Sequence, residues 1–321
     1  MNVYRLLIIF LCLSLPVCFA ENTNRQLQTV VKPYLHSFTQ ARVDLRRDTT
    51  IFKQEKVIFG LDFKFNEYWS ARVGIDLINM NKPYLKPAVL TFNKDQWTVD
   101  GGIFFTSDMD LSLQQFWGNR FIDRVAADKW ICPTADLGLR LTYRWSEWMS
   151  TDVSVVSGNG YQLLTEKYNP KPALRVIISP LQTLKAGGYV AARKDRGIIE
   201  TTYGSFAHWQ RHEQWKITGE YYCQTNSRFA KSNRMDIVSV YGAYSLLSWW
   251  EIIGRFDLLK SGTKENYGKS WHTDDGQSFI GGFIFQCFPT MRFSVNYLRR
   301  RPSTVKINNE DWIYMCLEFK F

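Results

Sequence analysis

Four histidines are the side chains of this sequence best suited to acid–base or metal chemistry. His208 and His212 form the string H-W-Q-R-H, which lacks the glutamate of the zinc motif H-E-x-x-H and falls at a predicted tight turn. The most concrete enzyme alternative is a hydrolase with His36 or His208 as its base, but neither histidine is accompanied by a nucleophile-elbow motif. We therefore predict a protein that is not an enzyme and that needs no metal and no cofactor.

The cysteines are the next candidates for chemistry. Two of the six lie in the first twenty residues, and the other four are Cys132, Cys223, Cys287 and Cys316. Their wide spacing contains no C-x-x-C pair, so it indicates neither a metal site nor a redox motif. One disulfide in an oxidising compartment remains open, while four small buried or lipid-facing side chains are favoured.

Charged residues follow a more regular pattern, because they alternate with apolar residues along many stretches. In 133–145, Leu137, Leu139 and Leu141 share one parity, and Asp136 and Arg140 share the other. A period of two is typical of a β-strand with two different faces. If the charged faces line a pore, their balance sets the sign of the ions that pass. The predicted pore-lining residues are Arg42, Arg46, Arg72, Asp76, Asp136, Arg140, Arg144, Arg175, Arg255 and Asp257. Because acids are interleaved with bases, we expect only a weak anion preference.

The elements that must position these residues are sixteen alternating stretches between Phe38 and Phe321. Connections between them are alternately short and generally longer, which is the rhythm of an antiparallel up-and-down β-barrel in an outer membrane. A Greek-key sandwich would not keep this rhythm. The predicted stretches are 38–47, 56–66, 68–79, 86–93, 96–105, 133–145, 148–157, 172–180, 183–193, 198–209, 214–225, 235–247, 249–260, 277–287, 290–300 and 310–321.

Aromatic residues make up 16% of the chain, and many lie beside the predicted short turns, as Trp97, Trp145 and Trp249 do. Such a girdle is typical of a membrane interface. A soluble periplasmic or secreted β-protein stays open as an alternative, because parity alone does not separate core from lipid.

The formal net charge is +10, but the basic residues are spread along strands. This spread argues against nucleic acid as a partner.

The first segment, 1–20, has one cation, an apolar run and a small residue at its end, as secretory signal peptides do. A lipoprotein anchor at Cys18 is disfavoured because the larger Val17 precedes it. We therefore expect a signal peptide at 1–20 and one outer-membrane β-barrel domain at 21–321.

Besides the alternation of short and longer connections, three local stretches resemble porin sequences: "FWGNRFIDR" (116–124), "ADLGLRLTYR" (135–144) and "VVSGNGY" (155–161). On these features the whole mature chain resembles Gram-negative outer-membrane porins, more narrowly the phosphate-selective porin O/P-like group. The resemblance implies a channel for passive diffusion of small hydrophilic solutes or anions, with a homotrimer as one compatible assembly. It also implies that Phe321 resembles the carboxy-terminal signal read by the barrel-assembly machinery. A non-conducting structural or docking barrel of an envelope complex is the alternative.

In porins the loop after strand five folds into the lumen, and the longest connection here, 106–132, occupies that slot. Ser112 and Gln115 fit the capping box S-x-x-Q, which predicts a helix beginning there. That helix would present Arg120, Asp123 and Arg124 to water, so these three residues are the predicted pore constriction.

Overall fold

The computed structural model describes residues 29–77, 83–107, 133–163, 169–211, 214–263, 271–273, 275–303 and 308–321. Within these ranges the regular structure is sixteen β-strands and a short 3-10 helix at Ser227–Phe229. The strands β1 to β16 are, in order, Val30–Asp44, Thr49–Lys64, Trp69–Asp76, Tyr84–Lys94, Trp97–Phe105, Ala135–Ser146, Met149–Val156, Lys171–Leu181, Leu184–Asp195, Ile198–Arg211, Trp215–Thr225, Asn233–Leu247, Trp250–Thr263, Gly276–Phe288, Met291–Pro302 and Glu310–Lys320.

The sixteen strands form one closed antiparallel barrel in which each strand pairs with its neighbours in sequence. The barrel closes where β1 pairs with β16, from His36 opposite Lys320 to Asp44 opposite Trp312. Closure leaves no unpaired strand edge, which is the structural protection that a terminal apolar strand requires. The predicted all-β, sixteen-stranded up-and-down barrel is confirmed.

Side-chain parity separates two chemically different surfaces. On β6, Leu139 and Leu141 face outward and are 65% and 42% exposed, whereas Asp136 on the opposite parity is buried. The same division recurs on β7, where Val153 and Val155 are exposed and face outward. An exposed surface built from large aliphatic and aromatic side chains is the reverse of a water-soluble protein.

The connections at the two ends of the barrel differ in length. At one end, called the turn end, they are 65–68, 95–96, 147–148, 182–183, 212–214, 248–249 and 289–290. At the other, called the loop end, most are longer, but 45–48 and 196–197 are also short. Arg196 and Gly197 have φ angles of 47° and 80°. Positive φ at both central residues is the backbone of a two-residue hairpin turn whose twist matches that of the strands.

The first hairpin is longer than predicted, since β1 begins at Val30 and β2 at Thr49 rather than near 38 and 56. Its register shifts beside Phe38, where Glu55 is left as an extra residue in β2. Such a bulge exchanges the inward and outward parities along β2. The alternation of β2 from residue 56 onward therefore does not continue before Glu55, and the sequence pattern missed that part of the strand.

Several predicted features lie outside the described residues. The predicted signal peptide falls within 1–28, and the predicted lumen helix with Arg120, Asp123 and Arg124 falls within 108–132. No helix in the described ranges is long and apolar enough to cross a membrane. Of the cysteines, Cys223, Cys287 and Cys316 are free thiols, and Cys132 lies outside the described ranges.

Candidate functional site

Ion pairs between neighbouring strands cover much of the inner face. Arg140 on β6 donates from Nε and Nη2 to Asp100 Oδ2 on β5, at 2.9 and 2.7 Å. Arg72 on β3 donates from Nε and Nη2 to the two different carboxylate oxygens of Asp62 on β2. Each arginine lies directly opposite its acid in the strand register. The ladder therefore brings these charges together, and each pair is held by geometry as well as by charge.

A second group of inward charges is more deeply buried. Arg175 on β8 pairs with Asp152 on β7, and their side chains are 7% and 2% exposed. Arg255 and Asp257 pair along β13 at 2.8 Å. A buried charge is tolerated only with an oppositely charged partner, so removing one member of either pair should destabilise the fold.

Other predicted lining residues support the wall or remain exposed. Arg42 pairs with Glu55 and lies over the Tyr314 ring. Asp76 accepts a hydrogen bond from the Tyr161 hydroxyl at 3.1 Å, and Asp136 accepts one from the Gly158 N–H at 2.8 Å. These two acids thus hold the connection after β7 against the inner wall. Arg144 lies near the turn end, where it is exposed and has no ion pair with a described residue.

The placement of Arg46 differs from the prediction. It lies in the connection 45–48, and its Nε donates to Asp311 Oδ2 at 2.5 Å. Asp311 shares its parity with Ile313 and Met315 on the outward face of β16. Since β1 ends at Asp44, parity cannot be extended to Arg46, which belongs with the outer-surface charges.

Several inward residues were not predicted, and three of them show different reasons. Asp152 alternates cleanly with Val153 on β7, so the alternation could have revealed it. Glu55 could not be predicted because it sits in the bulge of β2. Lys86 is buried beside the Tyr161 ring, 4.2 Å from its centroid. Its inward position follows a register shift between β3 and β4.

A cavity of about 750 Å³ lies against the inner wall near the turn end. Charged residues of both signs line it, and the lining includes Lys32, Asp62, Lys64, Arg72, Asp100 and Arg140. Since the ion pairs Arg72–Asp62 and Arg140–Asp100 open onto this space, the cavity is suited to water and small hydrophilic solutes.

The inner face of the opposite wall combines apolar clusters with charged side chains such as Glu220, Arg255 and Asp257. Tyr222, Ile237 and Leu259 form one buried cluster on β11 to β13. Tyr241 and Ile284 belong to a second cluster further along the same wall. This part of the lumen wall therefore carries apolar clusters beside buried charges.

The chain enters the barrel interior as it leaves β5. The Ser107 hydroxyl donates to Asp152 Oδ1 at 2.5 Å, and the Ser107 carbonyl accepts from Arg175. Asp152 and Arg175 belong to β7 and β8, which lie beyond β6 in the barrel order. To reach them, the chain must cross the inner face of β6. The Thr106 hydroxyl also donates to the carbonyl of Pro133 at 2.6 Å, which ties the two ends of the connection together.

Two histidine rings lie within hydrogen-bonding distance of other side chains. His208 Nδ1 lies 2.8 Å from the Thr218 hydroxyl, and His272 Nε2 lies 3.3 Å from Arg228 Nη2. The described ranges contain no group of three His, Cys, Asp or Glu side chains arranged to hold a metal, and His212 lies outside them. The charged inner wall is therefore the candidate functional site.

Aromatic side chains surround the turn end on the outer surface. The rings of Trp97 and Tyr143 lie 4.4 Å apart between centroids, and those of Trp215 and Tyr244 lie 4.3 Å apart. In the turn 65–68, the neighbouring Glu67 carboxylate raises the pKa of the Tyr68 phenol, which favours the uncharged form that a phenol already has at neutral pH. Uncharged amphipathic rings are suited to a boundary between apolar and aqueous phases.

No protein-family model and no curated protein sequence matches the chain. Solved structures do match its fold. The outer membrane channel DcaP of Acinetobacter baumannii is 14% identical with a TM-score of 0.71, covering 92% of this chain and 99% of that one. OmpT of Vibrio cholerae, an outer membrane protein, is 11% identical with a TM-score of 0.68, covering 92% and 99%. The anion-selective porin from Comamonas acidovorans is 9% identical with a TM-score of 0.66, covering 92% and 100%. The chain therefore has the fold of outer-membrane channels.

Proposed function

We propose that the protein is an outer-membrane porin that lets small hydrophilic solutes diffuse passively down their gradients. The observation that supports this most strongly is the closed sixteen-stranded barrel with an apolar outer face and a charged, ion-paired inner face. Only a closed barrel satisfies every strand backbone in lipid, and only a polar interior admits hydrated solutes.

Export through a signal peptide at 1–20 and insertion by the barrel-assembly machinery belong to this proposal. At the closing pair of strands, the Phe321 N–H donates to the Leu35 carbonyl at 3.0 Å. The Phe321 ring is exposed at the turn end, where an assembly receptor could contact it.

The proposed constriction is the connection after β5, with Arg120, Asp123 and Arg124 facing the water-filled path. The contacts of Ser107 with Asp152 and Arg175 support this, because they direct the connection across the inner wall. A helix in that position would satisfy its own backbone hydrogen bonds inside the pore.

A weak anion preference follows from the pairing of the inner charges. Arg72, Arg140 and Arg175 face neighbouring acids, which reduces the field that each arginine projects into the lumen. Lys64 and Arg144 are exposed and form no ion pair within the described ranges, so they present positive charge to the water near the turn end. Charge on a pore wall favours ions of opposite sign. The phosphate-selective group is the narrower form of this proposal.

The assembly is proposed to be a homotrimer in the membrane. The supporting observation is that a trimer form is described for OmpT of Vibrio cholerae, which shares this fold. Crosslinking of the protein in its native membrane would test the subunit number.

Planar-bilayer recording of the purified full chain tests the function. We expect discrete single-channel steps, and a reversal potential of the sign produced by a modest anion preference in a potassium chloride gradient. A cation preference at neutral pH would contradict the proposed selectivity while leaving the channel in place.

A non-conducting structural or docking barrel is the second candidate. It is favoured by the deep burial of inner-wall side chains such as Ile237 and Asn296, which are 0% exposed. A barrel whose lumen is filled would insert into the bilayer, as protease protection or fractionation would show, yet would give no current steps.

A further inference from the structure

A cluster of polar residues occupies the outward face at the loop end of β11, β12 and β13. Tyr221 shares its parity with Ile217, and Asp236 shares its parity with Val238 and Val240. Ile217 and Val240 are exposed, so Tyr221 and Asp236 lie on the outer surface, directly above apolar positions. Ionised side chains on such a surface are costly near the bilayer centre but are tolerated near the interface.

The cluster has a fixed geometry. Arg234 donates from Nε to Asp236 Oδ2 at 2.7 Å and from Nη2 to Asp236 Oδ1 at 2.8 Å. The Tyr221 hydroxyl donates to the same Oδ1 at 2.6 Å. This two-pronged pair, held by a third donor, locks the arginine in place and balances one positive charge.

Two further cations leave the cluster with a positive excess. Lys260 lies opposite Asp236 in the register of β12 and β13, and Lys231 lies in the connection before β12. Both lysines are exposed, and neither forms an ion pair within the described ranges. An anion near the cluster would therefore meet two available ammonium groups.

A cavity of about 760 Å³ joins these charges to an apolar surface. Lys231, Arg234 and Lys260 line its upper part, and Val238 and Leu258 line the part nearer the barrel centre. Below these, Val240 and Phe256 continue the outward apolar face. The site is thus amphipathic along the strand direction, with cations above and aliphatic side chains below.

A second group of tyrosine, aspartate and arginine lies elsewhere on the outer surface. The Tyr297 hydroxyl donates to Asp311 Oδ1 at 2.7 Å, and Arg46 binds the other oxygen of that carboxylate. Arg299 approaches the same acid within 3.6 Å. A second outward tyrosine–aspartate–arginine group near the loop end indicates that this level of the surface faces polar head groups.

We propose that the cavity bounded by Lys231, Arg234, Lys260, Val238 and Leu258 binds a membrane lipid whose head group carries phosphate. The phosphate lies against the ammonium and guanidinium groups, and an acyl chain runs down over Val238 and Leu258. Cationic side chains beside a membrane surface attract anionic head groups, and buried methylene groups add affinity. The inference rests on the proposed membrane location but does not depend on conduction.

The test measures lipid binding by native mass spectrometry of the full-length barrel in detergent. The probes are a bis-phosphorylated acyl glucosamine lipid, its dephosphorylated form and inorganic phosphate. The test variant is Lys231→Glu/Lys260→Glu. The matched control is Lys194→Glu, because Lys194 is an exposed lysine at the loop end of β9 but does not line the cavity.

We expect the unaltered protein and the Lys194→Glu control to retain the phosphorylated lipid, and the double variant to bind it at least about tenfold more weakly. The unaltered protein should bind the dephosphorylated lipid about as weakly as the double variant binds the phosphorylated lipid. Equal binding by the double variant, or equal binding of the dephosphorylated lipid, would overturn the inference. Strong competition by inorganic phosphate would also overturn it, because the site would then bind free phosphate.

Two controls separate this inference from the proposed function. Resistance of each variant to denaturation by detergent at room temperature shows that the barrel is folded. Membrane fractionation of the unaltered protein tests its location independently of the lipid site. A protein found in the membrane that does not distinguish the phosphorylated lipid would contradict the lipid site alone.

Discussion

Adjacent residues on β6 face opposite environments, so substitutions at one position should change stability and at the other should change conductance. Leu139 is outward and 65% exposed, near the middle of the strand. Leu139→Lys should lower the free energy of unfolding in lipid by about 2–4 kcal/mol, because a lysine there faces the hydrocarbon. Denaturant titration of the protein folded into vesicles measures this cost.

The inward neighbour provides the comparison. Arg140 and Asp100 bind each other, with side chains 11% and 7% exposed. The paired variant Asp100→Asn/Arg140→Gln removes both charges and avoids leaving one acid alone. We expect it to fold nearly as well as the unaltered protein and to change single-channel conductance. Equal destabilisation by the two variants would refute the assignment of the two faces.

Two buried arginines also separate a structural role from a role in the pore. Arg175→Gln leaves Asp152 without its cation, and Arg255→Gln does the same to Asp257, so each should cost about 3–5 kcal/mol of stability. Only Arg175 also binds the carbonyl of Ser107. Both variants remove a charge from the lumen wall, so a change in mean conductance is compatible with either, but extra current fluctuation from a released connection should appear in Arg175→Gln alone. Bilayer recordings on both variants would show this, and equal fluctuation in both would argue against an anchored lumen connection.

At the scale of strands, alternation in the sequence predicted all sixteen elements and most of their faces. The alternation of Asp136 and Arg140 with Leu137 and Leu139 works because each strand meets lipid on one side and polar groups on the other. It fails where register depends on a neighbouring strand, as at the bulge beside Glu55. The contacts of Ser107 cross an intervening strand, and no local pattern in the sequence encodes them.

The pairing of β1 with β16 leads to a prediction about assembly. Phe321 exchanges backbone hydrogen bonds with Leu35, at 3.0 and 3.3 Å. Deleting Phe321 removes both bonds and the terminal ring, so the yield of folded barrel in the membrane should fall severalfold. Phe321→Tyr, which keeps the backbone and an aromatic ring, is the matched control. Channels that do assemble without Phe321 should conduct as the unaltered protein does. Unchanged assembly after the deletion would contradict the proposed assembly signal.

At the scale of the whole molecule, the barrel turns its apolar surface outward and its charges inward. Hydropathy summed along the chain conceals this, because the two faces alternate within each strand. The separation produces two functional surfaces from one set of strands. The inner wall faces solutes, and the outer wall carries the lipid site at its loop end.

The balance of paired and unpaired inner charges predicts how selectivity responds to salt. The screening length is about 10 Å at 0.1 M and about 3 Å at 1 M, so unpaired cations such as Lys64 and Arg144 act across a pore only in dilute salt. We expect the anion-to-cation permeability ratio to exceed one in dilute potassium chloride and to approach one at 1 M. Lys64→Gln/Arg144→Gln should lower the dilute-salt ratio, while Lys194→Gln, on the outer surface, should not. A ratio that does not change with salt would mean that pore width, rather than the field of these cations, sets the preference.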